Sequence, residues 1–187
     1  MILESHPWRK ELEHQLGILE SLSKPGSFSG EETETDDFLF ERALVYSAFI
    51  VRLLMDSNKL PDSINDVRID ATKLPIVDAK YRYASPILRR WADDTYYDFM
   101  SNDRCKLRCR TVTNQVIHSA IIPMMVLDEL GGLEGFCVGS DHVYDKNIYL
   151  VKLGDWLDCA RIVEGAELSS IHAVFDMDNK SWTVSRE

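Results

Sequence analysis

The segment 37–56 constrains this chain more than any other. Phe38, Leu39, Ala43, Leu44, Tyr46, Ala48, Phe49, Ile50, Leu53 and Leu54 wrap most of a helix's circumference. A helix that is apolar on nearly every side has to be enclosed by others. Its most apolar window, 43–55, contains Arg52 and is too short to cross a bilayer. The expectation is therefore a central core helix, with no membrane as partner. A chain of 187 residues has room for one core of ordinary size, or for a domain with a small appended module.

Other elements are arranged around that helix. Ser5 can cap and Pro7 suits the first turn of a first helix, in which Trp8, Leu12, Leu16, Leu19 and Leu22 recur at helical spacing until Lys24-Pro25-Gly26 stops it. An acidic run, 30–37, holds Glu31, Glu32, Glu34, Asp36 and Asp37 and reads as a solvated helix start. Between 58 and 84 periodicity fades, except that Val67, Ile69 and Ala71 alternate as a short strand does. Ser85-Pro86 opens a further helix carrying Ile87, Leu88 and Trp91, and 103–125 reads as a fourth. After Gly131-Gly132, a helix-to-strand break, the texture becomes β-rich. Strands are expected at 136–140 and 147–153, a helix at 155–164, and strands at 170–175 and 181–185. The fold class expected is α+β: an N-terminal helical bundle over residues 1–130, then a small antiparallel ββαββ module over 131–187, packed on the bundle as one unit.

Charge and cysteine usage narrow the function. With 21 Lys+Arg against 31 Asp+Glu the formal net charge is −10, which opposes passive binding to duplex DNA. Cys105, Cys109, Cys137 and Cys159 form no C-x-x-C and have no histidine at ligand spacing, so no metal site is expected. Cys105 and Cys109 read as two small apolar residues on one helix face. Polar residues interrupt any apolar stretch near the start, so no secretory signal is read and the default location is the cytoplasm.

Enzyme signatures are sparse. No G-x-S-x-G, Walker A loop, H-E-x-x-H or strand-bound G-x-G-x-x-G occurs, and no cofactor is expected. Ser140, Asp141 and His142 are consecutive and read as a polar loop. Asp176, Asp178 and Asn179 resemble the opening of a calcium loop that lacks its glycine and distal glutamate.

The fourth helix carries the remaining chemistry. Cys105, Cys109, Val112 and Val116 line one side, and Arg104, Arg108, Thr111, Gln115 and His118 the other. Arg110, Asn114 and His118 step by four, drifting about 40° per step, which a long arginine side chain can close onto a small anion. Pro123 kinks or ends the helix just after His118. An arginine, an amide and a histidine at such an end suit RNA cleavage: the histidine moves the 2′-hydroxyl or leaving-group proton, and the arginine holds the phosphate's developing charge. Arg104, Lys106 and Arg108 beside them form a local basic patch that can hold RNA. The plainer alternative is that Arg110 and Asn114 hydrogen-bond to loops, the cations pair with Asp93, Asp94 or the acidic run, and His118 is a satisfied polar residue.

A helical bundle whose late helix bears Arg110, Asn114 and His118 resembles the HEPN-domain proteins, many of them ribonucleases of bacterial toxin–antitoxin and defence systems. The resemblance covers residues 1 to about 128. It implies metal-independent catalysis by Arg110, Asn114 and His118, and a dimer that brings two copies of the site together. The family's motif separates arginine from histidine by four to six residues, whereas seven lie between Arg110 and His118. Two functions are thus expected. The first is a non-enzymatic, cytoplasmic interaction or accessory protein of a toxin–antitoxin or defence system, bound to a protein partner or a second copy. Its sheet edges can take partner strands, and Trp156, Trp182 and Tyr149 are of the kind enriched at interfaces. The alternative is a HEPN-like ribonuclease with RNA as partner.

Overall fold

The leucine spacing near the start does form a helix, α1 (His6–Leu22), which buries Leu12, Leu16, Leu19 and Leu22. The computed structural model describes residues 4–28, 33–83, 94–121 and 124–187. The helix expected from Ser85-Pro86, Pro123 with its kink, and Gly30, Glu31 and Glu32 of the acidic run lie outside these residues. Gly26, at positive φ, turns the chain so that its N–H donates to the Leu130 carbonyl at 2.8 Å.

The second helix, α2 (Thr33–Asp56), packs against α1 and buries Phe40, Ala43, Leu44, Ala48, Ile50, Val51 and Leu54. It is not enclosed on every side as the sequence suggested. Phe38 is 59% exposed, and Tyr46 and Phe49 are exposed with it. The reason is geometric: the other helices and the sheet pack on one side of α2, and its outer apolar residues find only local cover. Trp8 meets Phe49 edge-on at 6.5 Å, and Arg42 lies over the Phe38 ring at 5.7 Å.

Beyond α2 the N-terminal part departs from a helical bundle. Strands β1 (Arg68–Pro75) and β2 (Asp103–Arg108) come first, then a short helix α3 (Cys109–Ile117), then β3 (Met124–Leu127), β4 (Leu133–Val138) and β5 (Asn147–Lys152). These make one antiparallel sheet in the order β2-β1-β5-β4-β3. The expected fourth helix is therefore half strand. Arg104 to Cys109 alternate polar and apolar, and pairing with β1 overrides the helix propensity of arginine, lysine and leucine. Gly131-Gly132 is the β3–β4 turn rather than a helix-to-strand break. A Cβ on Gly132 would sit 2.6 Å from the Ser23 carbonyl oxygen, so the turn needs glycine to dock under the end of α1.

The C-terminal elements follow in the expected order, but they do not share one sheet. Helix α4 (Leu153–Gly165) follows β5, and β6 (Ile171–Asp176) and β7 (Ser181–Arg186) form a separate two-stranded hairpin. The five-stranded sheet takes β1, β2 and β3 from before residue 130 and β4 and β5 from after it. Fold class is α+β, with four α-helices among the described residues.

Packing defines two faces of the large sheet. Ile69, Ala71, Val151, Phe136 and Val138 face the helices in one continuous core with α1, α2 and α4. Trp156 of α4 is fully buried there, edge-on to Phe136 at 6.4 Å, and its indole N–H donates to Ser47 Oγ at 3.3 Å. Arg9 of α1 donates to the carbonyls of Val163, Glu164 and Ala166, which satisfies acceptors that the end of α4 leaves unpaired. The opposite face is covered only in part, by a second cluster of Leu74, Tyr97, Ile121, Cys137 and Ile148.

Candidate functional site

Antiparallel register decides which charged side chains meet on that opposite face. Partners across an antiparallel pair point to the same side. Arg68 lies opposite Arg108, Asp70 opposite Lys106, and Thr72 opposite Arg104, while Ile69, Ala71 and their partners turn to the core. On the other flank Ala71 pairs with Val151 and Thr72 with Leu150, so the next residue, Lys152, stands level with Asp70. Five cations, Arg68, Arg104, Lys106, Arg108 and Lys152, therefore share one open sheet face.

These cations are held in different ways. Lys106 Nζ lies 3.4 Å from Asp70 and Arg68 3.6 Å from Asp66. Among the described residues, the side chains of Arg104, Arg108 and Lys152 have no ion-pair partner. Between Arg104 and Lys152 the face dips into a concavity of about 380 Å³ lined by Asp70, Thr72, Leu150 and Asp155 as well. The sequence marked Arg104, Lys106 and Arg108, but as residues of a helix. It missed Arg68 and Lys152, for which only the Val67–Ile69–Ala71 alternation and the β-rich run ending at Lys152 were signals.

The three proposed catalytic residues are not brought to one point. Arg110 stands in the first turn of α3, and its Nη2 donates to Asp56 Oδ1 of α2 at 2.6 Å. Arg52 donates from Nε to the other oxygen of Asp56 at 2.6 Å, and from Nη1 to the Asn114 side-chain oxygen. Arg110 and Asn114 are thus joined through two α2 residues that the sequence did not single out. Partial burial pulls the Asp56 carboxyl upward, but hydrogen bonds and charge from Arg52 and Arg110 together outweigh it and hold the carboxyl below its usual value. Arg110 also lines a small concavity of about 130 Å³ with Asp62 and Arg186. His118 caps the end of α3 and is exposed. Its N–H donates to the Asn114 carbonyl at 3.0 Å, and its own carbonyl accepts the Asp141 N–H at 3.3 Å.

The cysteines are placed for packing. Cys105 is on β2, whereas Cys109 opens α3 against Cys159 of α4, so the first two do not share a helix face. The hydrogen bond with Cys109 and burial raise the Cys159 thiol well above its ordinary value, and burial pushes Cys137 up to about 12. Burial, reinforced by Asp103, also raises Cys105. Such thiols do not supply a nucleophilic thiolate near neutral pH. No cluster of three or more His, Cys, Asp or Glu suited to a metal ion occurs among the described residues. No helix among them is long and apolar enough to cross a membrane.

The aromatic residues expected at an interface divide. Trp156 is core, Tyr149 is half-buried, and Trp182 of the hairpin is 65% exposed. Phe175 and Trp182 pair across the two strands with ring centroids 5.1 Å apart. Ile171, Ala173, Phe175, Trp182 and Val184 share one hairpin face, and all are exposed. The hairpin is tied back by Arg186, whose N–H and guanidinium both donate to Asp62, at 2.9 and 3.1 Å.

A scan against family models, a search of curated proteins and a search of solved structures each return no match, so they lend no support to the HEPN resemblance.

Proposed function

We propose that this chain is a non-enzymatic interaction protein, an accessory subunit of the cytoplasm, that holds a protein partner through its C-terminal hairpin. One observation carries the reading: the hairpin has an apolar face of Ile171, Ala173, Phe175, Trp182 and Val184 that the described residues leave uncovered. A two-stranded sheet alone is marginal in water, and contiguous exposed apolar surface marks interaction sites. A partner that covers this face stabilises the hairpin and the complex together. The edge is open too. From Ser181 to Ser185, β7 carries no charge, proline or glycine, the devices that keep strand edges from pairing. An extended partner segment therefore adds beside β7 by main-chain hydrogen bonds, with Trp182 and Phe175 supplying apolar contact.

The test is site-specific photo-cross-linking in cells, with the reactive side chain placed at Trp182 or, as a control, at exposed Glu13 of α1. A single defined protein adduct formed from position 182 and absent from position 13 is the expected result. Adducts that are diffuse or identical at the two positions would refute the reading. An adduct to a second copy of the chain would name that copy as the partner.

A further inference from the structure

The basic sheet face is separate from the hairpin, and we infer that it is a binding site for single-stranded RNA, read through its phosphates and one ribose. The argument begins with spacing. Arg104, Lys106 and Arg108 project from one side of β2 at every second residue, which sets them about 7 Å apart along the strand. That is comparable to the separation of successive phosphates along an extended single strand. Lys152 and Arg68 widen this row into a band across three neighbouring strands. A rigid sheet pre-organises the row, so little ordering cost falls on the protein when a strand binds.

The site is built from more than positive charge. The concavity of about 380 Å³ between Arg104 and Lys152 is lined by the apolar Leu150, Ala71 and Cys105, the hydroxyl-bearing Thr72, and the acids Asp70 and Asp155. A volume of this order suits one small organic group. The acids oppose a bare polyphosphate, but they suit a nucleoside, whose ribose hydroxyls donate to carboxylates. The 2′-hydroxyl is the group by which proteins tell RNA from DNA. Half-buried Leu150 adds apolar lining against which a sugar or base can pack. The chain's net charge of −10 does not cancel this local site, because at physiological salt charges beyond roughly 8 Å are largely screened.

The experiment titrates the intact chain into a short fluorescein-labelled single-stranded RNA of mixed sequence, its DNA counterpart, and polyglutamate as competitor. With three phosphates engaged, the slope of log affinity against log salt is expected to be about −2, an affinity loss of about 20-fold between about 50 and about 200 mM salt. Arg104→Gln/Arg108→Gln/Lys152→Gln should weaken RNA binding at least tenfold and flatten that slope. The charge-matched control Lys10→Gln/Lys24→Gln/Lys180→Gln should leave binding within twofold. Asp155→Ala removes a repulsive charge, so absolute affinity for both strands rises, while the preference for RNA over DNA falls. The inference is overturned if the sheet triple variant binds RNA like the wild type, if RNA and DNA bind equally and Asp155→Ala leaves that ratio unchanged, or if polyglutamate displaces RNA at equal charge concentration. The last result would point to an acidic protein instead. All substituted side chains except that of Asp155, which is half-buried, are exposed, and equal melting temperatures of the variants check that the fold is intact.

Discussion

The edge strand β2 and the hairpin strand β7 are the same kind of object, an antiparallel strand with one unpaired side, yet the chain treats them in opposite ways. Outward-facing Arg104, Lys106 and Arg108 line β2, whose Cys105 and Leu107 on the other face are half-buried against the helical core. Along β7, Ser181 to Ser185 carry no charge, and their apolar neighbours face water. Charged edges repel stray strands, whereas uncharged ones recruit them. The contrast teaches that exposure on this molecule is of two chemical kinds. One is cationic and the other uncharged and apolar, and they lie on separate sheets.

The sharpest way to break that contrast is to compare two tryptophans. Trp156→Ala removes a fully buried ring from between α2 and β4 and should cost about 3–5 kcal/mol in urea unfolding. Trp182→Ala removes a ring that is 65% exposed and should cost less than about 0.5 kcal/mol. Comparable losses at the two positions would mean that the hairpin's apolar face is covered within the chain, and the contrast would collapse.

A smaller effect is expected at the hairpin's anchor. Asp62→Ala removes the acceptor of both the Arg186 N–H and its guanidinium. Global stability should fall by less than about 1 kcal/mol, as is usual for a solvent-accessible pair. Amide hydrogen exchange, however, should quicken across β6 and β7 while β1 and β5 stay protected. Uniform acceleration across both sheets would show that they unfold as one unit.

The least effect concerns the ionic link between α2 and α3, and it depends on pH. The Asp56 carboxyl is held below its reference value of 3.8. Its contribution is therefore present above the unfolded pKa and is lost as pH falls through the lower folded one. Asp56→Asn should cost under about 1 kcal/mol near neutrality, because the pair is solvent-screened. The difference from wild type should shrink as pH falls through the lowered folded-state pKa of Asp56 and vanish once its carboxyl is protonated in both states. A deficit that persists in acid would assign the cost to packing rather than charge.

Some of this architecture is legible in the sequence, and what is legible depends on local periodicity. The leucines of α1, the apolar side of α4 around Trp156, and the two hairpin strands flanking 177–180 all follow short-range rules that need no distant partner. Arg104 to Cys109 show why the rest is not. Their alternation has the period of a strand, but arginine, lysine and leucine also favour helix, and the decision belongs to β1, about 35 residues earlier in the chain. Arg110 and Asn114 were visible as a polar pair one turn apart. Their engagement with Asp56 and Arg52 was not, because no spacing rule links residues 52 and 114.

Residue order alone determined the amphipathic helices at the two ends of the chain, the α+β class, and the acidic net charge with its basic cluster. Those properties follow from side-chain chemistry and from periods of two and 3.6 residues. Only the tertiary structure decided that 103–108 is a strand, that Arg68 and Lys152 join Arg104 on one face, that α2 keeps Phe38, Tyr46 and Phe49 in solvent, and that the last hairpin stands apart from the main sheet. Each of these is set by pairing or burial between segments far apart in the chain. A one-residue change in register would turn every one of those cations into the core, and it is the burial of Ile69, Ala71 and Val151 that forbids the change.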